Sequence, residues 1–323
     1  MLSERKSPRK RKHHYVPRFY LSGFEDPQNP HVIWIYEKGK DLIRAGSKEV
    51  IAVQNDYHTY VNGGGTVDTD SVEDLLSKVE GAAAKVLKNI ESLHELGPPD
   101  RLLFSCFLAF MAMRGPRVRD DADRMAGEQE KALRRFIGRR STASAECSED
   151  STLDLPSDLI AEPTFSLGLM FHMAKPLSAI LNCMNWTTLV ADGNEAFLTS
   201  DSPMVRVLPY GGGLAVEGPF LSEDVEITLP LSKSHALYCS WTSVGSNHIR
   251  VRTAVTREIN RRTVISAARF VYAPIRSRHL NQRLVQKYAH ANPVRIVETK
   301  SGPNTLEVRG RDWTARSLRE LLA

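Results

Sequence analysis

The chain has 323 residues, a formal net charge of +5, 41% hydrophobic and 25% charged residues. These are the proportions of a soluble globular protein able to bury a full core. Its longest apolar run, Leu102 to Met113, falls well short of the roughly 20 residues needed to cross a bilayer. The charged N-terminus carries no apolar stretch of a secretory signal. Four scattered cysteines, Cys106, Cys147, Cys183 and Cys239, form no Cys-x-x-Cys pair, so the expectation is a reduced, cytoplasmic protein.

Residues 1–12 form a basic block: Arg5, Lys6, Arg9, Lys10, Arg11 and Lys12 are opposed only by Glu4. Such a block is expected to be a disordered tail that attracts phosphate backbones, or simply a solvated tail that aids solubility. His13-His14-Tyr15-Val16-Pro17 opens the main domain. His31–Tyr36, a turn at Glu37–Lys40 and Asp41–Arg44 read as a β-hairpin, followed by an extended Val50–Val53 and by Asn55-Asp56-Tyr57-His58. The triplet Gly63-Gly64-Gly65 lacks the lysine and hydroxyl residue of a phosphate loop and reads as a turn.

Val72, Leu75, Leu76, Val79, Ala83, Val86, Leu87 and Ile90 fall on one stripe and predict a helix over Ser71–Ser92, with Asp68 and Asp70 as caps. Glu73 and Glu80, seven residues apart, share its flank. Pro98-Pro99-Asp100 starts a second helix, Arg101–Met113, apolar nearly all round and therefore central. Arg114 follows Phe107, Phe110 and Met111 at helical spacing, which puts a permanently charged guanidinium on a buried face. It needs a carboxylate, a carbonyl or a phosphate there, and Glu80 and Asp201 are the candidate protein partners.

A charged helix is expected at Val118–Phe136, then a Ser-, Thr-, Glu- and Pro-rich insertion at about 141–162, then a helix at Thr164–Cys183 interrupted at Pro176. Beyond Asn185 the period becomes that of strands: Trp186–Ala191, Ala196–Thr199, Val225–Leu229 and Ala236–Trp241. Helix Arg257–Ala268, strand Arg269–Tyr272, helix Leu280–Tyr288 and a small hairpin within Val294–Val308 complete the reading. This order predicts an α+β fold with a central mixed or mostly antiparallel sheet and packed helices. The main domain runs over 13–275, and 276–323 form a C-terminal appendage of a helix and a hairpin.

Several separated residues fit one pattern. His14-Tyr15-Val16-Pro17 with Phe19, Tyr20, Leu21 and Phe24, and Ser200-Asp201-Ser202-Pro203, resemble the HYVP and SDNP signatures of an uncharacterised, mainly microbial family, domain of unknown function 4238. Serine stands at 202 where that family usually has asparagine. Asp56-Tyr57, the helix carrying Glu73 and Glu80, Arg114-Gly115-Pro116 and Asn260 are similar to its weaker features. The resemblance covers roughly Lys12 to Pro274 and implies relatedness without a reaction.

The residue supply excludes several chemistries: there is no G-x-S-x-G elbow, no H-E-x-x-H zinc helix, no paired H-x-E and P-C-x-x-C, and no glycine fingerprint for a dinucleotide. A His/Asp/Glu/Arg set remains, suited to hydrolysing a phosphodiester with or without a divalent metal. On that reading His14 is the general base or a metal ligand, Asp201 orients it or shares the metal, and Arg114 stabilises charge on phosphate. His13 and Glu80 are further candidate metal ligands, and the basic tail recruits nucleic acid. The alternative is a non-catalytic ligand- or nucleic-acid-binding or sensor module of a defence or mobile-element system. There His14 and Asp201 serve only to lock the N-terminal segment onto the sheet. A third possibility confines nucleic-acid binding to the tail and gives the folded domain an unrelated role.

Overall fold

Alternation of side chains along short strands and a 3.6-residue period in the helices account for most of the architecture. The computed structural model describes residues 11–61, 67–68, 70–122, 165–210, 213–215, 220–291, 295–298, 306–309 and 317–322. The expected insertion at 141–162, most of the charged helix at 118–136 and most of the basic tail lie outside them. Strand β1 (Lys12–His14) pairs antiparallel with β4 (Val53–Asn55), matching His13 to Gln54 and His14 to Val53. The hairpin β2 (Ile33–Glu37) and β3 (Ile43–Gly46) forms as its alternation predicts. The small ladder β5 (Tyr60–Val61) and β6 (Val67–Asp68) leads into the first long helix.

After the short helix α1 (Arg18–Leu21), helix α2 (Ser71–Glu91) buries Val72, Leu76, Ala83, Val86, Leu87 and Ile90, while Leu75 of the expected stripe faces solvent. Asp68 caps its start, accepting from the amides of Asp70 and Ser71 at 3.0 Å each. Helix α3 (Pro98–Met113) begins three residues earlier than its apolar run because proline is preorganised for the first helical turn. Helix α4 (Phe165–Cys183) continues through Pro176, where a break is expected. Packing of α4 on α3 holds this helix together through the proline.

The α+β reading holds, with the strands divided between two larger sheets. The first joins β7 (Asn185–Ala191), β9 (Val205–Tyr210), β10 (Gly213–Ala215), β11 (Glu226–Pro230), β12 (His235–Ser240) and β13 (His248–Val251) in the order β10-β9-β11-β12-β7-β13. Only β13 runs parallel to its neighbour. The second has the order β3-β2-β14-β8, with β8 (Thr199–Ser200) and β14 (Phe270–Ala273) antiparallel. The strand expected at Ala196–Thr199 is thus reduced to its end. Helix α5 (Thr253–Ser266) precedes β14, and the short helix α6 (Arg278–Leu280) runs into a π turn, Asn281–Val285. The expected C-terminal hairpin pairs β15 (Arg295–Glu298) with β16 (Leu306–Arg309).

Helix α7 (Leu318–Leu322) is pinned through Glu226, which accepts from Ser317 Oγ and the amides of Leu318 and Arg319 at 2.6–3.1 Å. The largest core cluster runs from Tyr15, Val16 and Tyr20 across α2 and α3 to Ile227 and Leu237, so the N-terminal segment is part of the core. Among the described residues no helix is long and apolar enough to cross a membrane.

Candidate functional site

Because β1 is extended, its two adjacent histidines point to opposite faces. His13 is fully buried and His14 half-buried. The ring of His13 stacks on that of His58, with centroids 5.4 Å apart and planes 11° from parallel. His13 Nδ1 accepts the backbone N–H of His58 at 2.8 Å. Asp56, at φ +55°, turns the chain after β4 and is held by Arg11; that turn carries Tyr57 and His58 back under β1. The edge of the Tyr57 ring meets His58, and its hydroxyl donates to the carbonyl of Arg114 at 2.9 Å.

From the first turn of α2, Glu73 reaches His58, with Oε1 2.5 Å from Nδ1. His13, His58 and Glu73 each offer one donor atom, and the three atoms lie within 4.8 Å of one another. Two turns along the same flank, Glu80 Oε1 accepts from Arg114 Nη1 at 2.6 Å. Arg114 is 1% exposed at the C-terminal end of α3, and its Nη2 contacts Met111 Sδ. The carboxylates keep the cluster in touch with solvent, since the Glu73 and Glu80 side chains are 19% and 24% exposed while that of His58 is sealed.

Burial holds His58 below the ordinary histidine value of 6.5, against the pull of Glu73. Burial presses Glu73 upward, but the hydrogen bond from His58 and the charges of His58, His13 and Arg114 outweigh it and leave the carboxyl below its ordinary range. A neutral imidazole beside an ionised carboxylate carries its proton on Nδ1, so Nε2 of His58 presents a bare lone pair. That nitrogen is buried and has no hydrogen-bond partner among the described residues, and neither has Arg114 Nε. Two unsatisfied polar atoms in one buried cluster are exceptional in a folded core, where such groups are nearly always paired.

The structure redistributes the residues expected to form the site. His14 does not meet Asp201. It lies on the outer side of β1, with Nε2 3.1 Å from the carbonyl of Lys48, and burial is the main cause of its lowered pKa. Asp201 is fully buried and its carboxylate is saturated by three amides, those of Ala268, Arg269 and Phe270, at 2.7–2.8 Å. It closes the turn between α5 and β14, and burial pushes its carboxyl above the ordinary value despite those donors. Glu80 is the partner of Arg114, and among the described residues no hydrogen bond or ion pair joins it to a histidine. Asn260 donates to Ala196 and accepts from the Leu198 amide, a helix-to-loop link.

His13 and Arg114 do enter the cluster. His58 and Glu73 complete it, although the sequence marked neither as a ligand. The available signals were the histidine directly after Asp56-Tyr57 and the helical phase that Glu73 shares with Glu80. The SDSP and RGP segments also pack together, since a side chain on Gly115 would touch the Asp201 carbonyl at 3.5 Å. Two surface cavities, of about 450 and 210 Å³, lie past the C-terminus of α2 around His94, Thr188 and Asn247, away from this cluster.

Residues 12–277 match the family described as "Protein of unknown function (DUF4238)", and the chain belongs to that family. No curated protein and no solved structure matches the chain.

Proposed function

We propose that this protein is a hydrolase of phosphodiesters in nucleic acid or nucleotides, with its reaction centre at the His13–His58–Glu73 cluster. The observation that carries the reading is the bare Nε2 of His58, buried without a partner while Nδ1 is oriented by a carboxylate. A neutral imidazole so oriented activates water, the division of labour found wherever a carboxylate sets the tautomer of a catalytic histidine. Arg114, held by Glu80, supplies fixed positive charge close enough to act on His58, and would stabilise an oxyanion developing on phosphorus. The basic residues 1–12 raise the local concentration of a polyanionic substrate and make its binding salt-dependent. A reduced cytoplasmic location suits this role, and the described cysteines Cys106, Cys183 and Cys239 are free.

A panel of labelled single-stranded and duplex oligonucleotides, cyclic dinucleotides and a chromogenic phosphodiester, screened with and without divalent ions, tests the reading. Cleavage by the wild type and a loss of at least about 100-fold in a folded His58→Ala variant are expected. An inert wild type on every substrate, or full rate in His58→Ala, overturns it.

A second reading, a non-catalytic binding or sensor module, draws on the sealed imidazoles and the His58 amide bound to His13, which together clamp the N-terminal strand. It requires tight ligand binding without turnover.

A further inference from the structure

We propose that His13, His58 and Glu73 bind one divalent transition-metal ion of the zinc class. Two imidazoles and one carboxylate make an N₂O set, the donor choice of three-ligand sites that keep an open coordination position. The three donor atoms already lie within 4.8 Å of one another. Metal–nitrogen and metal–oxygen bonds of about 2.0–2.2 Å close such a triangle with small side-chain rotations.

The second observation is independent of that spacing. A polar atom sealed in a core without a partner is a standing penalty, and His58 Nε2 is one. Its neighbours do not relieve it: the stacked His13 ring is fixed by the His58 amide, Glu73 is engaged at Nδ1, and the Arg114 guanidinium is turned to Glu80 and Met111. A cation bound at Nε2 would satisfy the cluster and leave the Nδ1 contact with Glu73 to orient the ring.

Charge favours the same conclusion. Arg114 is matched by Glu80, so Glu73 is the carboxylate left to face the imidazoles. The ligands come from β1, the turn after β4 and α2, so an ion here would tie three elements into one unit. His14 offers an internal contrast, because its ring lies on the other side of β1 at the Lys48 carbonyl. The inference stands on donor geometry whether or not the reaction is hydrolysis; an ion held here would take over from His58 Nε2 the activation of water.

The test uses the full chain, stripped with a chelator and reloaded with Zn²⁺ or Co²⁺. Elemental analysis is expected to give one ion per chain, and Co²⁺ loading to give the intense visible bands of a four- or five-coordinate site. The melting temperature is expected to rise with Zn²⁺ and return on chelation. His13→Ala, His58→Ala and Glu73→Gln are each expected to weaken binding by at least about tenfold, while His14→Ala retains it. Where a variant fails to fold, the Co²⁺ spectrum of the wild type decides.

A folded wild type that keeps far less than one ion per chain, or gives only the weak octahedral Co²⁺ spectrum, overturns the inference. So does loss of binding in His14→Ala with retention in His58→Ala. Phosphodiester turnover that survives complete metal removal supports the hydrolase and leaves the metal site to be decided by the binding stoichiometry, whereas stoichiometric metal without turnover keeps the site and sinks the hydrolase.

Discussion

Asp201→Ala gives the sharpest separation of structural from catalytic roles. The side chain is fully buried and receives three backbone N–H groups, from Ala268 at 2.8 Å, Arg269 at 2.7 Å and Phe270 at 2.8 Å. Alanine leaves all three donors facing a cavity. Each unsatisfied amide costs about 1–3 kcal/mol, and taking the low end for these partly buried groups gives a loss of about 3 kcal/mol. With an unfolding entropy of about 2.1 cal/mol/K per residue, each kcal/mol lowers the melting temperature of a chain of this size by about 1.5 °C, so the expected drop is about 4–5 °C. Thermal unfolding followed by circular dichroism measures it, with urea unfolding as a check that the midpoint moves at constant slope. Asp201→Asn, which keeps one carbonyl oxygen, should fall between the two. A variant that melts within about 2 °C of the wild type yet loses turnover would show that the carboxylate acts in the reaction and that the turn tolerates its absence.

Three further outcomes follow from the packing. Arg114→Met should destabilise the protein by about 2–3 kcal/mol in urea, at or below the bottom of the range of about 3–5 kcal/mol for broken buried pairs because Glu80 keeps 24% of its side-chain surface; an unchanged midpoint would mean the pair contributes nothing. Gly23→Ala should cost about 1–3 kcal/mol, since its Cβ would lie 2.9 Å from the Leu231 carbonyl oxygen and 3.0 Å from Ser232 Cα, both backbone atoms; a melting temperature equal to the wild type would refute the clash. Burial opposes ionisation of Glu226, but Arg262, the Ser317 hydroxyl and the Leu318 amide together lower its carboxyl below the ordinary value of 4.5, with Tyr238 and Arg319 also facing it. A depressed native pKa stabilises above the unfolded value and is lost as pH falls through the native one. Protection of the Leu318 amide in hydrogen exchange should therefore decline below about pH 4.5, and Glu226→Gln should abolish that dependence; protection that is flat with pH would refute the assignment.

Features set by local periodicity were legible in the sequence. Helix α2 ends one residue before its predicted limit, and the β2–β3 hairpin sits where its alternation places it. Elements defined by distant partners were not. Strand β1 has three residues and exists because β4, some forty positions away, pairs with it. Helix α4 passes through Pro176 because its neighbour α3 packs along it, a tertiary effect that overrides the local signal. The candidate site was half legible for the same reason. A pair of adjacent histidines announces that one ring faces the core, but which one depends on strand register. That register is set by the pairing of His13 with Gln54 and His14 with Val53.

The two tetrapeptides, His14–Pro17 and Ser200–Pro203, then acquire a physical meaning around the buried histidine pair. The carboxylate of Asp201 fixes the turn into β14, and its own carbonyl lies against Gly115. The carbonyl of Arg114, one residue earlier, anchors the Tyr57 hydroxyl, and Tyr57 immediately precedes His58. Through that chain of contacts the SDSP segment supports the His58 imidazole without touching it. From the other side, Tyr15 and Val16 bury themselves in the core beside the outward His14, and in doing so turn His13 inward onto His58. Both motifs therefore bear on one buried imidazole, although they differ in kind and lie far apart in the chain.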